Sequence, residues 1–262
     1  MVTAQMVKEL RDRTGVGMGD CKNALVETDG DIEAAIEILR KKGIAKAAKR
    51  AGNETSEGKI KIVVEGSTAY VAVVTCETDF VARNETFEEM LTAFINIRKE
   101  SATDAEALEK AEALKASEYT LKVGENLVIK TLSKVEGDVL ASYVHSNFKN
   151  GALVVAKAGT DAENLKLVAM HVVASQPQVC RPDDVDAEFV AKEREIALAQ
   201  MQEDPKNAGK PADILSKIIE GKMAKLKEEN ALETQQFVVN PDQKVRDFIG
   251  AGNVLSFQKF SI

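Results

Sequence analysis

The sequence predicts an α+β fold over its 262 residues, and three patterns along the chain support this prediction. Apolar residues at three- and four-residue spacing fill the N-terminal part, which is typical of amphipathic helices. β-Branched runs bounded by turn residues follow, and they alternate with further helical stripes. We therefore expect a three-helix N-terminal module over residues 1–53, a core N-subdomain over 54–136, and a core C-subdomain over 137–262 with an inserted helical hairpin at about 183–229.

The N-terminal module begins with a helix that carries Met6, Val7 and Leu10 on one face, and a short second helix follows. Asp31 is expected to cap a third helix, since an aspartate oxygen accepts a free backbone N–H at that position. The apolar stripe of the third helix consists of Ile32, Ala35, Ile36 and Leu39. Its tail, residues 40–50, is basic, but the module holds 10 basic and 8 acidic residues, so a solvated helix end is favoured over a nucleic-acid site.

The N-subdomain is expected to begin after a linker at residues 52–58. Two β-branched runs, Lys59–Glu65 and Ala69–Thr75, flank a Gly-Ser turn and predict a β-hairpin. Residues Glu85–Ile97 have the apolar spacing of an amphipathic helix. A charged, alanine-rich helical stretch is then expected to continue to about Ser117.

A second block, expected to open with residues 126–132, repeats this order of strands, turn and helix. The polar turn at Thr78-Asp79 has a counterpart at Thr160-Asp161, which indicates two related α+β subdomains. The other elements expected in this block are two strands over Val139–Val144 and Ala152–Ala156 and a helix over Leu165–Ala174.

Two helices with apolar stripes and charged outer faces are expected around residues 185–201 and 214–226. A loop rich in proline and glycine, residues 204–211, joins them, so they predict an antiparallel helical hairpin that projects from the body. The chain continues with strand-like segments at Phe237–Val239 and Val254–Phe257, which are expected to return to the body.

The composition argues against several classes of function. Lys and Arg total 35 against 42 for Asp and Glu, and the net charge of −7 argues against nucleic acid or an anionic membrane as the main partner. The longest uncharged stretch, Leu167–Cys180, is shorter than a helix that spans a bilayer. The N-terminal segment MVTAQMVKELRDR lacks the basic start and apolar core of a signal peptide, so none is expected.

Cysteine and histidine are too few and too scattered to predict a metal centre or a redox site. Cys21, Cys76 and Cys180 form no Cys-x-x-Cys pair, and His145 and His171 belong to no zinc-binding motif. We expect the three cysteines to be reduced thiols, buried or without a role, and we expect neither a metal nor a cofactor.

The glycine-rich segment at residues 15–19 is similar to a dinucleotide-binding loop but departs from it in two ways. Asp20 stands where the third glycine is required, and a helix precedes the segment instead of a strand. A turn between two helices that leaves Met18 exposed is the simpler interpretation. No nucleophile elbow, P-loop or spaced nucleophile–histidine pair occurs in the sequence, so we expect no catalytic residues.

The segment Val73–Asn84 places an aromatic residue, Phe80, directly after a polar turn. The residues themselves leave two interpretations open. Phe80 either folds back into the core of the N-subdomain or stands exposed at a rigid strand end. An exposed phenylalanine there is suited to anchor an interface, since burying it in a partner is worth roughly 1.5–3 kcal/mol.

Two long motifs resemble those of the bacterial translation elongation factor Ts family. Residues 10–25, LRDRTGVGMGDCKNAL, are similar to the N-terminal signature of that family, and residues 76–82, CETDFVA, are similar to its second signature. Three further short segments fit the same family and occur in the same order: Gly124-Glu125-Asn126, Gly137-Asp138-Val139 and Met170-His171-Val172. The resemblance therefore covers essentially the whole chain.

The resemblance implies a cytoplasmic guanine nucleotide exchange factor for elongation factor Tu, without covalent chemistry. It also implies a ubiquitin-associated-like three-helix module, two related α+β core subdomains and a protruding antiparallel coiled coil. The partner that it implies is Tu, bound in a one-to-one complex or a dimer of heterodimers, with no direct nucleic-acid or membrane partner and no cofactor.

The family's exchange residues correspond here to Asp79 and Phe80, with Thr78 and Val81 beside them. In the family this phenylalanine inserts between helices of Tu, near its magnesium and phosphate site. The other partner contacts that the resemblance implies are Met18, Val123 and His145. Gly19 departs from the family pattern, because some relatives have a second methionine at that position.

Two other classes of function are alternatives. A non-catalytic adaptor would bind other proteins through the N-terminal module and use the coiled coil as a scaffold, without accelerating nucleotide exchange. An enzyme with an unrecognised site would turn over a small substrate, although the absence of catalytic motifs from the sequence gives it little support. Release of labelled GDP from Tu distinguishes the three classes. An exchange factor accelerates it, an adaptor binds without accelerating it, and an enzyme instead turns over a small substrate.

Overall fold

A computed structural model describes residues 2–203 and 211–262, except for the side chains of residues 46 and 47. Residues 204–210, most of the predicted interhelical loop, lie outside the described residues. The chain mixes α-helices and β-strands, as predicted for an α+β fold. It divides into two compact units, the first comprising Met1–Glu136, Val144–Asn150 and Phe260–Ile262 and the second comprising Gly137–Tyr143 and Gly151–Lys259.

The first unit combines helices with an antiparallel sheet. In chain order its main elements are α1 (Ala4–Thr14), α2 (Met18–Glu27), α3 (Ile32–Arg50), β1 (Glu57–Glu65), β2 (Thr68–Cys76), α4 (Asp79–Ala82), α5 (Glu85–Glu100), α6 (Asp104–Leu114), α7 (Thr120–Val123) and β3 (Val128–Glu136). A π-helical turn, Lys115–Tyr119, connects α6 with α7. The linker predicted at 52–58 is shorter than expected, because β1 already begins at Glu57.

Helices α1, α2 and α3 share one apolar core, which includes the buried side chains of Leu10, Cys21, Leu25 and Leu39. Asp31 caps α3 as predicted, since its Oδ1 accepts the backbone N–H of Ala34 at 3.0 Å. Gly15 ends α1 at a φ of 67°, a left-handed conformation that glycine adopts without a steric penalty. Residues 15–17 therefore form a turn between two helices, and Met18 begins α2.

These three helices pack on the segment that follows α6 in the same unit. Gly43 permits the close approach, because a Cβ at that position would lie 3.2 Å from the Cβ of Leu121. Leu121 in turn packs against the core of α1–α3. Near the start of β3, the side-chain amide of Asn126 donates to the carbonyl of Asn53 at 2.8 Å. The end of the N-terminal helical segment is thus held against residues that precede β3.

Strands β1, β2 and β3 form an antiparallel sheet in that order, and α5 packs on it with its buried face. The predicted hairpin is confirmed, with Glu65 opposite Thr68 across the turn. β3 pairs with β2, where Thr68 lies opposite Glu136. The expectation that residues 126–132 open the second block was therefore wrong. Apolar alternation identified a strand, but alternation carries no information about which strand pairs with it.

The second unit contains most of a second sheet, in the strand order β4, β5, β8. The elements after β3 are β4 (Val139–Val144), β5 (Asn150–Ala156), α8 (Ala162–Ser175), α9 (Ala187–Glu203), α10 (Ala212–Asn230), β6 (Gln236–Phe237), β7 (Asn240–Lys244), α11 (Val245–Ile249) and β8 (Val254–Ser261). The strands predicted at 139–144 and 152–156 and the helix predicted at 165–174 are confirmed.

Helices α9 and α10 contact each other within the second unit. Met201 and Ile219 are buried, which agrees with the apolar stripes predicted for these helices. Phe189, Ile196 and Ile214 were predicted on the same stripes, but they are 42%, 43% and 44% exposed. The first helix begins at Ala187, two residues after the expected start, because a short 3₁₀ turn at Pro182–Asp184 precedes it and Val185 is extended.

The C-terminal segment departs in part from expectation. Phe237 lies in β6, but Val238 and Val239 form the turn of the β6–β7 hairpin, since Phe237 pairs with Asn240. Both valines are about half exposed, at 45% and 48%. Their β-branched side chains predicted a strand, and the register of the hairpin overrode this local preference. The strand predicted at 254–257 is confirmed and extends to Ser261.

Two aromatic side chains and a histidine occupy the core of the second unit. Phe237 is 1% exposed, and its ring stacks on that of Phe248 with 4.4 Å between the centroids. His171 is fully buried, and its Nδ1 accepts the backbone N–H of Val238 at 3.1 Å. Its Nε2 therefore carries the proton and donates to the Gln235 oxygen at 2.9 Å. Burial lowers the pKa of His171, against a smaller opposing effect of the bond to Gln235.

The stability of this unit is expected to fall as the pH drops below about 6.5, the ordinary pKa of histidine in an unfolded chain. Because folding lowers the pKa of His171, the unfolded state takes up a proton that the native state resists. The loss approaches about 1.4 kcal/mol per pH unit until the pH reaches the folded pKa. Urea unfolding from about pH 7.5 down to about pH 5 measures this dependence.

The chain offers a matched pair of variants for this prediction. His171→Gln should flatten the pH dependence, because glutamine does not titrate and its side-chain oxygen can accept the Val238 N–H. His145→Gln removes the other histidine, which is exposed, and keeps His171 in place, so it serves as the matched control. A dependence that persists in His171→Gln contradicts the assignment to His171.

Candidate functional site

Phe80 stands on the surface, with 83% of its area exposed. Of the two interpretations that the sequence left open, exposure is confirmed and burial in the core is wrong. Phe80 belongs to α4, a four-residue helix that begins three residues after β2 ends at Cys76. Among the large apolar side chains that the structure describes, none is more exposed than Phe80.

The opposite face of α4 keeps Phe80 outside the core. Ala82 is buried and Val81 is half-buried, and both pack against the core of the first unit. Thr78 caps the helix, because its Oγ1 accepts the backbone N–H of Val81 at 3.4 Å. Successive residues of a helix point in different directions, so fixing Val81 and Ala82 inward directs Phe80 to solvent.

Asp79 lies next to Phe80 and forms an ion pair with Arg83, one helical turn further on, at 3.2 Å. Both side chains are largely exposed, so the pair contributes little to stability. At the first position of α4 the carboxylate also interacts favourably with the unpaired N–H groups of the helix start. Asp79 is therefore oriented on the surface and open to a partner.

The carboxylate of Glu125 holds the segment between β2 and α4. One oxygen accepts the backbone N–H groups of Glu77 at 3.0 Å and Thr78 at 2.9 Å, and the other accepts the Thr78 hydroxyl at 2.5 Å. In return, the carboxylate of Glu77 accepts the backbone N–H of Asn126 at 2.6 Å. This bond, with a smaller effect of the Asn53 side chain, lowers the pKa of Glu77.

Sequence reasoning missed this role of Glu125. The residue stood in the Gly124-Glu125-Asn126 motif, but a motif in the chain does not reveal which distant segment its carboxylate contacts. Gly124 adopts a left-handed φ of 76° and ends α7, so Glu125 leaves the helix directly beside the β2–α4 segment. A glycine followed by an acidic residue at a helix end was the available signal.

The structure brings several of the predicted site residues together around Glu125. Val123 ends α7 two residues before Glu125 and is half-buried against the core of the first unit. Thr78, Asp79, Phe80 and Val81 belong to the segment that Glu125 and the core hold. Met18 belongs to a different element, as the first residue of α2, and is 45% exposed.

His145 is exposed in the turn between β4 and β5, where its carbonyl accepts the backbone N–H of Phe148 at 2.8 Å. The residues after it line a cleft of the first unit, together with Asp79, Ala82 and Arg83 of α4 and with Glu57–Lys59. The turn that begins at His145 therefore borders the same cleft as Asp79.

Phe148 is a second exposed aromatic residue at this cleft, and sequence reasoning did not identify it. It is 47% exposed and adopts a φ of 59°, a strained conformation for a bulky side chain. Lys59 Nζ lies 4.9 Å from the centroid of its ring, and the backbone N–H of Ile60 bonds to its carbonyl at 2.8 Å. These contacts fix the turn in a conformation that the local sequence does not favour.

The charges around the cleft are balanced by ion pairs. Asp79 pairs with Arg83, and Lys149 pairs with Glu57 at 2.6 Å. Exposed aromatic rings framed by paired charges are typical of a surface that binds another protein, where an aromatic anchor supplies most of the energy. These features favour a protein-binding surface over a catalytic site.

All three cysteines are free and buried, as expected. Burial, with a smaller contribution from the nearby Glu125, raises the pKa of the Cys76 thiol to about 12, so it stays protonated. Within residues 2–203 and 211–262, no group of three or more His, Cys, Asp or Glu side chains is arranged to hold a metal ion. Each helix in these same ranges is too short or too polar to serve as a membrane span.

Comparison with known proteins links these features to one family. A family model described as elongation factor TS matches residues 77–262, so the match begins one residue before Thr78. An elongation factor Ts of Marinobacter nauticus is 43% identical over 267 residues, and that of Cronobacter sakazakii is 42% identical over 264 residues. Elongation factor Ts of Salmonella typhimurium is 41% identical over 264 residues.

Each of these three alignments covers 100% of this chain and 91% of the relative. Similarity therefore extends over the N-terminal helices as well, which the family model does not reach. A family model that matches most of the chain and relatives aligned over its whole length show that the chain belongs to the elongation factor Ts family.

Proposed function

We propose that this protein is the guanine nucleotide exchange factor for elongation factor Tu in translation elongation, acting in the cytoplasm. Membership of the elongation factor Ts family supports this activity. The observation that carries the proposal is the 83% exposure of Phe80. Its segment is fixed before Phe80 by hydrogen bonds to Glu125 and after Phe80 by the packing of Val81 and Ala82 on the core. An apolar ring fixed outside the core stabilises nothing in the free protein, and it contributes energy when a partner buries it.

The Asp79–Phe80 turn inserts near the magnesium and phosphate site of Tu. Burial of the Phe80 ring between helices of the partner is worth roughly 1.5–3 kcal/mol. Displacement of one of those helices disturbs the magnesium ligands and the phosphate loop, so GDP is held less tightly. Linkage requires that nucleotide weakens the complex by the same free energy. GDP therefore leaves, and GTP reloads Tu.

Further contacts to Tu are assigned to Met18, Val123 and His145, which follow the family pattern. The family also supports a ubiquitin-associated-like module for α1–α3, two related α+β subdomains for the two three-stranded sheets, and a protruding antiparallel coiled coil for α9 and α10. The complex is one-to-one or a dimer of such pairs. This mechanism needs no covalent chemistry, no cofactor, and no nucleic-acid or membrane partner.

Release of a fluorescent GDP from Tu tests this function. Tu loaded with mant-GDP is mixed with excess unlabelled GDP, with and without this protein. We expect an acceleration of about 100-fold, toward the upper end of the roughly 5–150-fold change in affinity that couplings of 1–3 kcal/mol between two binding sites produce, because affinity changes appear mainly in dissociation rates. Binding without acceleration indicates an adaptor, and turnover of a small substrate in the absence of Tu indicates an enzyme. Either result contradicts the proposal.

A further inference from the structure

We propose that Glu125 is the positioning residue of the exchange turn, defined here as residues 77–80. Its carboxylate does not contact the reacting nucleotide, and it acts by fixing the direction in which Phe80 leaves the surface. This role rests on the proposed exchange function and adds a residue that the motif-derived contacts do not include.

Three hydrogen-bond donors of the exchange turn converge on the Glu125 carboxylate. They are the backbone N–H groups of Glu77 and Thr78, at 3.0 and 2.9 Å, and the Thr78 hydroxyl, at 2.5 Å. Bonds to an ionised acceptor are roughly twice as strong as bonds between neutral groups. One side chain therefore fixes two consecutive peptide groups immediately before Asp79 and Phe80.

The α4 helix needs such support, because it has four residues. Helices shorter than about 12–15 residues are marginal without tertiary contacts. Val81 and Ala82 supply these contacts at the C-terminal side of α4, whereas Phe80 supplies none to the core. The N-terminal side depends on Thr78, which both caps the helix and is bound by Glu125.

The residues on either side of Glu125 are themselves fixed by hydrogen bonds. Glu125 follows Gly124, whose N–H closes α7 by donating to the Thr120 carbonyl at 2.9 Å. It precedes Asn126, which is buried and bonded to both Asn53 and Glu77. The exchange turn and the start of β3 are thus joined by bonds in both directions, so a change at Glu125 is transmitted to Phe80.

The first experiment measures mant-GDP release from Tu at saturating full-length variant. We expect Glu125→Ala to lower the maximal rate by about tenfold, because it leaves three donors of the exchange turn without their ionised acceptor. The variant concentration that gives half of the maximal rate should change by a smaller factor than the maximal rate itself, because Glu125 acts after the protein has bound Tu. In a Phe80→Ala background, Glu125→Ala should have little further effect, because its action passes through Phe80.

Two variants separate positioning from a general loss of stability. Glu125→Gln should retain most of the rate, since an amide oxygen accepts the two N–H groups while the Thr78 hydroxyl can accept from the amide nitrogen. Glu106→Ala is the matched control, because the Glu106 carboxylate also accepts a backbone N–H, that of Ala102, at 2.8 Å, but at the start of α6. This control should exchange nucleotide at the wild-type rate.

Amide hydrogen exchange supplies a readout that does not need Tu. The N–H groups of residues 77 and 78 should exchange faster in Glu125→Ala than in the wild type and in Glu106→Ala. Unchanged protection of these amides overturns the proposal. Effects of Phe80→Ala and Glu125→Ala that simply add also overturn it, while leaving the exchange function intact. A wild-type protein that fails to accelerate GDP release overturns the exchange function itself.

Discussion

Replacing Phe80 with alanine is expected to slow GDP release from Tu, at saturating protein, by about 30-fold or more. Anchors at the centre of an interface cost at least about 2 kcal/mol when truncated, and each 1.4 kcal/mol is a factor of ten in rate. The expected loss is in the maximal rate, because the ring is proposed to distort the nucleotide site and not only to hold the partner. Stopped-flow measurement of mant-GDP release at increasing concentrations of the variant gives both quantities.

This substitution is informative because it should leave the free protein intact. The Phe80 side chain is exposed, and surface substitutions of this kind change stability by about 0.5 kcal/mol or less. Leu108→Ala is a suitable control, since it removes another exposed apolar side chain of the first unit, from α6. Release as fast as with wild type would show that Phe80 is not the wedge.

Replacing Phe237 with alanine is expected to destabilise the second unit by about 3–5 kcal/mol, the usual cost of truncating a buried phenylalanine. Phe237 is 1% exposed and stacks on Phe248, so the substitution leaves a cavity that β6 and α11 cannot close without shifting. Urea unfolding followed by circular dichroism measures the loss as a lower midpoint for this unit.

Val238→Ala is the matched control for this core substitution, because the next residue along the chain is about half exposed. It keeps the backbone N–H that His171 accepts and should change stability by about 0.5 kcal/mol or less. A loss below about 1 kcal/mol for Phe237→Ala would mean that the surrounding core collapses into the space of the ring.

Much of the secondary structure follows from local patterns. Spacing of apolar residues identified the helices, and Asp31 was recognised as a cap because the aspartate and the free N–H that it binds are three residues apart. The β1–β2 hairpin was predictable for the same reason, since its two strands are joined by a tight turn. In each case the interacting groups are close along the chain.

Errors occurred where local preference and long-range pairing disagree. Val238 and Val239 favour a strand by residue type, but pairing of Phe237 with Asn240 places them in a turn. Residues 126–132 were recognised as a strand, and the expected N-subdomain, 54–136, includes them. Grouping them with the repeated block was wrong, because they pair with β2, which is distant along the chain. Sequence periodicity specifies an element and leaves its partner undetermined.

The sequence by itself determined the α+β class, most helices and strands, and the motifs that carry the resemblance to elongation factor Ts. Only the tertiary structure decided that Phe80 faces solvent, since the burial of Val81 and Ala82 in the core sets its direction. It also showed that the Glu125 carboxylate accepts the backbone N–H of Thr78, a residue 47 positions earlier in the sequence. The physical reason is that side-chain direction and long-range hydrogen bonds depend on how distant segments pack, which no local pattern of residues specifies.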